Sequence, residues 1–345
     1  MATTVNQAFK EFIENTLTIS SSVKEMANGS VDALKNQIDI LSDKCLIPKT
    51  ASSKHYLFGS FSRRTKNPPL DDIDLIICFS ACGSVNIYEN RWDDIKLVVD
   101  GDNKQLLDLC DKKYKSFYSG EFENELNSNR FKNKLVSSLN NVQYYKKAEL
   151  HARGEAVTLS LSSYEWTFDI VPAFFYEDNN ETIFVIPNGS GRWKKTNPKK
   201  EKERINNLNK LFKNMVSKVV RLVKYWNRRG KMPTMTSYVL ETMVLDYFDS
   251  LQVPEESETL YPDLLFRDIL HYISSNIYSS IYDSKGIEGD INTLSYLDRY
   301  KLMIRSNNDH QKTCSAVEAE LEEKDFQKSI NIWRSIFGDE FPKYE

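Results

Sequence analysis

The sequence predicts an α+β protein of two lobes: a mixed sheet with flanking helices, then a helical lobe, with the functional site in the cleft between them. Three observations carry this reading. Runs of alternating apolar and polar residues, the mark of half-buried strands, fall between residue 54 and about residue 190. From residue 201 onward apolar residues recur instead at three- and four-residue spacing, the period of a helix. The turn Pro187-Asn188-Gly189 marks the change of character. The expected domains are therefore 1–200, including a long N-terminal helix, and 201–345.

Taken in order, residues 1–44 read as helical, with Phe9, Phe12, Ile13 and Leu17 near helical spacing and a break around Asn28-Gly29-Ser30. Strands are expected at Lys54–Phe58, Ile73–Phe79, Ala156–Leu161, Glu165–Val171 and Thr182–Ile186, with helical stretches between 103 and 148. Val157, Leu159 and Leu161 are odd-numbered, whereas Trp166, Phe168 and Ile170 are even. A period-2 pattern that changes face implies a turn, so Ser162-Ser163-Tyr164 is expected to close a hairpin. Ile205, Leu208, Phe212, Met215, Val219, Leu222 and Trp226 predict one long helix. A second helix is expected from Ser237 to about Leu251, and a last one over 316–336.

Composition narrows the classes. Hydrophobic residues at 40% and aromatics at 12% of 345 residues exclude a disordered chain and supply a substantial core. No apolar run approaches the roughly 20 residues that span a bilayer. The polar start MATTVNQAFKEFIEN resembles neither a secretory signal nor a transit peptide, so a soluble, cytoplasmic protein is expected. Five cysteines, at 45, 78, 82, 110 and 314, form no CxxC pair and have no nearby histidine set. They are expected to be reduced and mostly packed, with neither structural zinc nor disulfides. The net charge of −3 hides a segment, Arg192 to Lys231, that alone carries +13. A basic block in an otherwise acidic chain fits one local polyanion site or a solvated helix face.

The chemistry concentrates between 58 and 79. Asp72 and Asp74 stand two residues apart at the head of an Ile/Leu strand, so both carboxylates share one face, while Asp71 points away as a bystander. Acids held that close repel, and a divalent cation such as Mg²⁺ is the usual remedy. Thirteen residues before Asp72, Gly59 and Ser60 follow a strand and open a short helix. Glycine lets the backbone approach a phosphate, the hydroxyl is a donor, and free helix N–H groups favour anions. Either element alone is equally an ordinary strand–turn–helix connection or a chance acidic pair.

Together, Gly59-Ser60, then Arg64-Thr65, then Asp72-Ile73-Asp74 resemble the signature of the polymerase-β-like nucleotidyltransferases. Within that superfamily the chain resembles the bacterial cGAS/DncV-like group, the CD-NTases, which make cyclic oligonucleotide signals. The resemblance implies a third acid on a neighbouring strand, and Asp169 in Trp166-Thr-Phe-Asp-Ile-Val-Pro172 matches it. Parity agrees, because Asp169 faces away from Trp166, Phe168 and Ile170. By the same resemblance, Asp72, Asp74 and Asp169 are catalytic residues and ligands of two Mg²⁺ (or Mn²⁺) ions, and Gly59, Ser60, Arg64 and Thr65 bind nucleotide.

In the second half, Lys213, Ser217, Arg221, Lys224 and Arg228 are expected to form one basic stripe opposite the apolar one. Arg221-Leu-Val-Lys-Tyr-Trp226 followed by Ser237-Tyr-Val-Leu-Glu241 is similar to the segment with which this family's OAS/PAP-like helical lobe holds a donor triphosphate. The resemblance makes Lys224 and Ser237 ligands of the β- and γ-phosphates; Ser237, opening a helix, fits a cap equally well. In Ile186-Pro-Asn-Gly-Ser-Gly-Arg-Trp193, Arg192 and Trp193 are base contacts by resemblance, with a packed core the other reading for Trp193. The lysines at 194, 195, 199, 200 and 202 are either solvated or a site for a polyanionic activator. Ala316 to Leu321 and Trp333 to Pro342 resemble the family's closing helix and tail.

The implied activity is a metal-dependent nucleotidyltransferase that condenses NTPs into a cyclic di- or trinucleotide second messenger and releases pyrophosphate, within an anti-phage signalling operon. A separate effector protein would bind the product, and regulatory partners or an activating ligand would control the enzyme. No membrane and no stable nucleic-acid partner are expected. The alternative is template-free linear oligonucleotide synthesis or RNA tailing, against which stands the lack of a long basic track. A catalytically dead nucleotide-binding protein is the third reading, disfavoured because a pure binder has no need of three mutually repulsive acids.

Overall fold

The computed structural model describes residues 2–111, 124–229 and 234–345. Part of the expected helical stretch at 103–148 and Lys231 of the basic block lie outside the described residues. The chain divides into two compact units. One comprises Met1–Ile19, Arg63–Pro69 and Lys200–Glu345, the other Ser20–Ser62 and Leu70–Lys199.

Helix α1 (Val5–Asn15) ends well before the expected break, and α2 (Ser21–Asp43) runs straight through Asn28-Gly29-Ser30. Gly29 has nothing within 4 Å of where a Cβ would stand, and Ser30 donates to the Ala27 carbonyl at 2.7 Å. A helical glycine costs about 1 kcal/mol, and the buried row Ala27, Val31, Leu34, Ile38 and Leu41 outweighs it. The true interruption is at Ser20, which caps α2 by accepting from Val23 N at 3.3 Å.

The second unit is built on a mixed sheet. Strand β1 (Tyr56–Phe58) leads into the single turn α3 (Gly59–Ser62), and β2 (Asp72–Cys78) follows. Next come β3 (Val85–Arg91), β4 (Asp94–Val99), α4 (Lys104–Leu107) and the short β5 (Cys110–Asp111) and β6 (Glu125–Leu126). Helix α5 (Ser128–Asn140) precedes the hairpin of β7 (Glu149–Arg153) and β8 (Ala156–Ser160), then the long β9 (Thr167–Asp178), β10 (Glu181–Pro187) and β11 (Trp193–Thr196). Around the acids the strand order is β1-β2-β9-β8-β7; only β2 and β9 run parallel. The expected turn at Ser162-Ser163-Tyr164 joins β8 to β9, with Ser160 opposite Thr167.

Strands β3, β4, β7 and β11 were not legible as periodic runs. β3 is exposed at every position but one, so it carries no apolar alternation, and β11 has only four residues. Of the cysteines only Cys78 and Cys110 are packed inside; Cys45, Cys82 and Cys314 are exposed, and all five are free thiols.

The C-terminal helices are α6 (Pro198–Leu211), α7 (Met215–Arg228), α8 (Ser237–Ser250), α9 (Pro262–Asn276), α10 (Tyr296–Leu321) and α11 (Phe326–Phe337). The single helix expected over 205–226 is thus two. Lys213 and Asn214 both adopt positive φ (52° and 61°), and the tight turn keeps the apolar spacing in phase across the break. Likewise 316–336 is split, because Lys324 is left-handed (φ 58°) and Asp325 caps α11, accepting from Lys328 N. Phe9 and Phe12 of α1 pack edge-on against Trp333, Phe337 and Phe341, so the first helix shares the core of the C-terminal helices. Among the described residues, no helix is long and apolar enough to cross a membrane.

Candidate active site

The burial pattern of β2, half-buried Asp72, buried Ile73, half-buried Asp74, then four buried residues, is what two strand carboxylates on the open face demand. The parallel pairing sets Asp74 opposite Asp169 and Asp72 opposite Thr167. At a strand spacing of about 4.8 Å, all three carboxylates therefore share one sheet face, as the sequence predicted. Ile73, Phe168 and Ile170 turn into the core behind them. Burial, then the charge of Asp72, push the Asp169 carboxyl above its ordinary range, with Arg153 opposing.

Gly59 holds the other side of this face. Its φ of +71° is left-handed, and an added Cβ would lie 1.7 Å from Asp74 Oδ2. The strand–helix junction thus comes so close to the Asp74 carboxylate that only glycine fits. A cavity of about 520 Å³ opens over Asp74 and Asp169, lined also by Thr158, Thr167, Arg153 and Glu155 among others.

Sequence reasoning missed Arg153. It stands at the end of β7, before the left-handed Gly154 that turns the hairpin, and Arg153 pairs with Ala156 while His151 pairs with Thr158. Since Thr158 pairs with Asp169, the alternation puts Arg153 on the carboxylate face. The Gly154-Glu155 turn was the signal that could have revealed the hairpin.

Arg64, Thr65, Lys224 and Ser237 belong to the unit of the C-terminal helices. Thr65 is fully buried and donates to Glu241 Oε2 at 3.0 Å. Lys224, 4% exposed, donates to the same oxygen at 2.6 Å. Arg63 donates to Glu241 Oε1 at 2.6 Å and to Glu201 Oε2 at 2.8 Å. Burial alone would raise the Glu241 carboxyl, but Arg63 and Lys224 hold it at about 2. Lys224 is therefore the cation of a buried pair rather than a side chain extended into solvent. Arg64 is exposed with φ 61°, and its carbonyl accepts from Arg221 Nη1. Ser237 is exposed in the first turn of α8; the cap is Thr236, whose hydroxyl accepts from Val239 N.

The expected basic stripe is not formed. Lys213 lies outside the helix and donates to the carbonyls of Glu255, Glu256 and Glu258. Ser217, Arg221 and Lys224 are buried, leaving Arg228 exposed. Trp193 is also buried, its indole N–H donating to the Leu126 carbonyl and its ring packed edge-on with Phe131 and Phe174; it has no free face for a base. Arg192 binds Asp94 at 2.6 Å. Of the lysines at 194–202, Lys194 pairs with Glu155, Lys195 with Glu89, and Lys199 donates to Thr182 and lies over Phe184.

The donor chemistry of Asp72, Asp74 and Asp169 fits hard divalent cations: oxygen ligands only, on one face, with Asp169 raised by burial and then by the charge of Asp72. Among the described residues, no three Asp, Glu, His or Cys side chains converge into a complete ligand shell, so these acids share a face without closing on one point.

No known family profile matches the sequence. The chain is 37% identical, over 352 aligned positions covering all of both proteins, to a probable cyclic nucleotide synthase of Bacillus cereus (strain VD146). In fold it is similar to CdnC of E. coli MS115-1, solved with ATP, at a TM-score of 0.67 and 15% identity over 98% of each chain. The same CdnC in complex with HORMA-deltaN gives 0.66 at 16% identity, again over 98% of each chain. The apo form of Vibrio cholerae DncV gives 0.66 at 12% identity, over 99% of this chain and 96% of that one. Full-length identity to a cyclic nucleotide synthase, together with this fold, settles the assignment: the chain belongs to the bacterial cGAS/DncV-like nucleotidyltransferases (CD-NTases), the family of cyclic oligonucleotide synthases.

Proposed function

We propose that the protein condenses NTPs into a cyclic di- or trinucleotide in a reaction that depends on Mg²⁺ or Mn²⁺. Two nucleotides react when a ribose hydroxyl oxygen of one bonds to the α-phosphorus of the other. The bond from that phosphorus to the bridging oxygen breaks, pyrophosphate leaves with the electron pair, and the hydroxyl's proton passes to solvent. A second such step closes a dinucleotide ring, and a third is needed to close a trinucleotide. Divalent cations bound at the carboxylates would supply charge neutralisation and acidify the attacking hydroxyl. Asp72 and Asp74 would hold them, Asp169 would complete the set, and the Gly59–Ser60 backbone would receive donor phosphates. The observation that carries this reading is the register of Asp74 against Asp169, with Asp72 on the same face and only glycine tolerated beside Asp74. The relative's name, a probable cyclic nucleotide synthase, supports the cyclic product.

By the family resemblance, the product is a signal in anti-phage defence, read by a separate effector protein. The test is incubation with all four α-labelled NTPs and Mg²⁺ or Mn²⁺, then phosphatase and chromatography, beside an Asp72→Ala/Asp74→Ala control. A phosphatase-resistant product from the intact protein alone is expected. Products with free ends would replace cyclisation by linear synthesis, and omission of single NTPs names the bases.

A further inference from the structure

The Arg153 side chain is exposed and makes no hydrogen bond or ion pair with the described residues. Yet it lines a cavity whose other named charges, Asp74, Glu155 and Asp169, are all acids. Glu155 is answered by Lys194, which leaves Arg153 as the lining cation without a direct partner among the described residues. A guanidinium held in that position is a donor fork for an anion, and phosphate is its best geometric match.

The sheet order says which phosphate. Across β1-β2-β9-β8-β7, Gly59 and Ser60 follow the first strand, the acids occupy the second and third, and Arg153 ends the fifth. The donor's phosphates lie on the Gly59 side in the reading above, so an anion at Arg153 lies across the acids from them. We infer that Arg153 binds a 5′-phosphate of the acceptor nucleotide, the one whose ribose hydroxyl attacks, and so selects phosphorylated acceptors. The inference rests on the proposed carboxylate site.

The test separates donor from acceptor. α-Labelled 2′,3′-dideoxynucleoside triphosphates, which lack an attacking hydroxyl, serve as donors only. Each ribonucleotide is offered as acceptor either as its 5′-triphosphate or as the bare nucleoside. The wild type is expected to favour the triphosphate by about tenfold or more in kcat/KM, the scale of a charge-assisted hydrogen bond. Arg153→Ala abolishes that preference through the acceptor KM, and Arg153→Lys restores part of it. An intact preference in Arg153→Ala would overturn the inference, as would a wild type indifferent to acceptor phosphate. A change confined to the pH profile of kcat would also overturn it, since it would mean that Arg153 acts on Asp169 alone. Should the wild type join no nucleotides at all, the reading of the reaction falls, and this role with it. Because Arg153 is exposed at a hairpin end, melting curves of both variants are expected to match the wild type.

Discussion

An alanine at residue 59 would place its methyl carbon 1.7 Å from Asp74 Oδ2, 2.6 Å from Cγ and 3.0 Å from Cβ. Relief needs Oδ2 to move by about 1.7 Å or more to reach ordinary contact, and the approach to Cγ means that a torsion at the carboxylate end alone does not suffice. The side chain must leave its rotamer. A left-handed φ adds about 1–2 kcal/mol for any residue with a Cβ. The displaced group is a proposed cation ligand, and misplacement of about 1 Å in a catalytic constellation costs on the order of 100-fold in rate. Gly59→Ala is therefore expected to lower kcat by about 100-fold, equivalent to about 2.7 kcal/mol in the barrier. The melting temperature should fall by only a few degrees. Initial rates of cyclic product formation and a circular-dichroism melt measure the two effects. A folded Gly59→Ala protein with kcat within about threefold of wild type would refute the argument that Gly59 sets the position of Asp74.

Other substitutions test the remaining geometry. Asp169 has a raised carboxyl, so its ionisation opposes folding as pH rises through its folded value; Asp169→Asn should raise the melting temperature at pH 8 in EDTA and abolish activity. That gain should vanish below the ordinary carboxylate range. Glu241, held at about 2, stabilises above its ordinary value and loses that contribution as pH falls towards 2. Glu241→Gln should cost about 3–5 kcal/mol at neutral pH by stranding Lys224 and leaving Arg63 with Glu201 alone, and denaturant melts should show the gap narrowing below pH 4.5. Trp193→Ala should cost about 3–5 kcal/mol through cavity formation, while Trp193→Phe should leave the KM for every NTP unchanged; a raised KM would restore Trp193 as a base contact.

Much of the carboxylate face was legible because a strand writes its two faces into odd and even positions. Asp72, Asp74 and Asp169 each alternate with buried apolar neighbours, and the parity change at 162–164 located the hairpin between β8 and β9. The Gly59-Ser60 junction was legible for a related reason, since a glycine after a strand marks a backbone that other residues resist. Arg153 was not legible, because β7 is an exposed strand whose side chains, apart from Leu150, carry no burial signal.

What the sequence determined by itself is local: which positions face inward, where a strand reverses, and which acids share a side. The partner of each inward face belongs to the tertiary structure. Helical spacing in 205–226 survived the turn at Lys213-Asn214, so the break left no trace in the pattern. Lys224 reads as a cation on a helix, and only the packed structure sets Glu241 2.6 Å away and turns it into half of a buried pair. Trp193 reads equally as a base platform or a core ring until Leu126, Phe131 and Phe174 are seen around it. Periodicity records that a side chain is shielded from water; which atoms do the shielding depends on residues far along the chain, and no local pattern contains them.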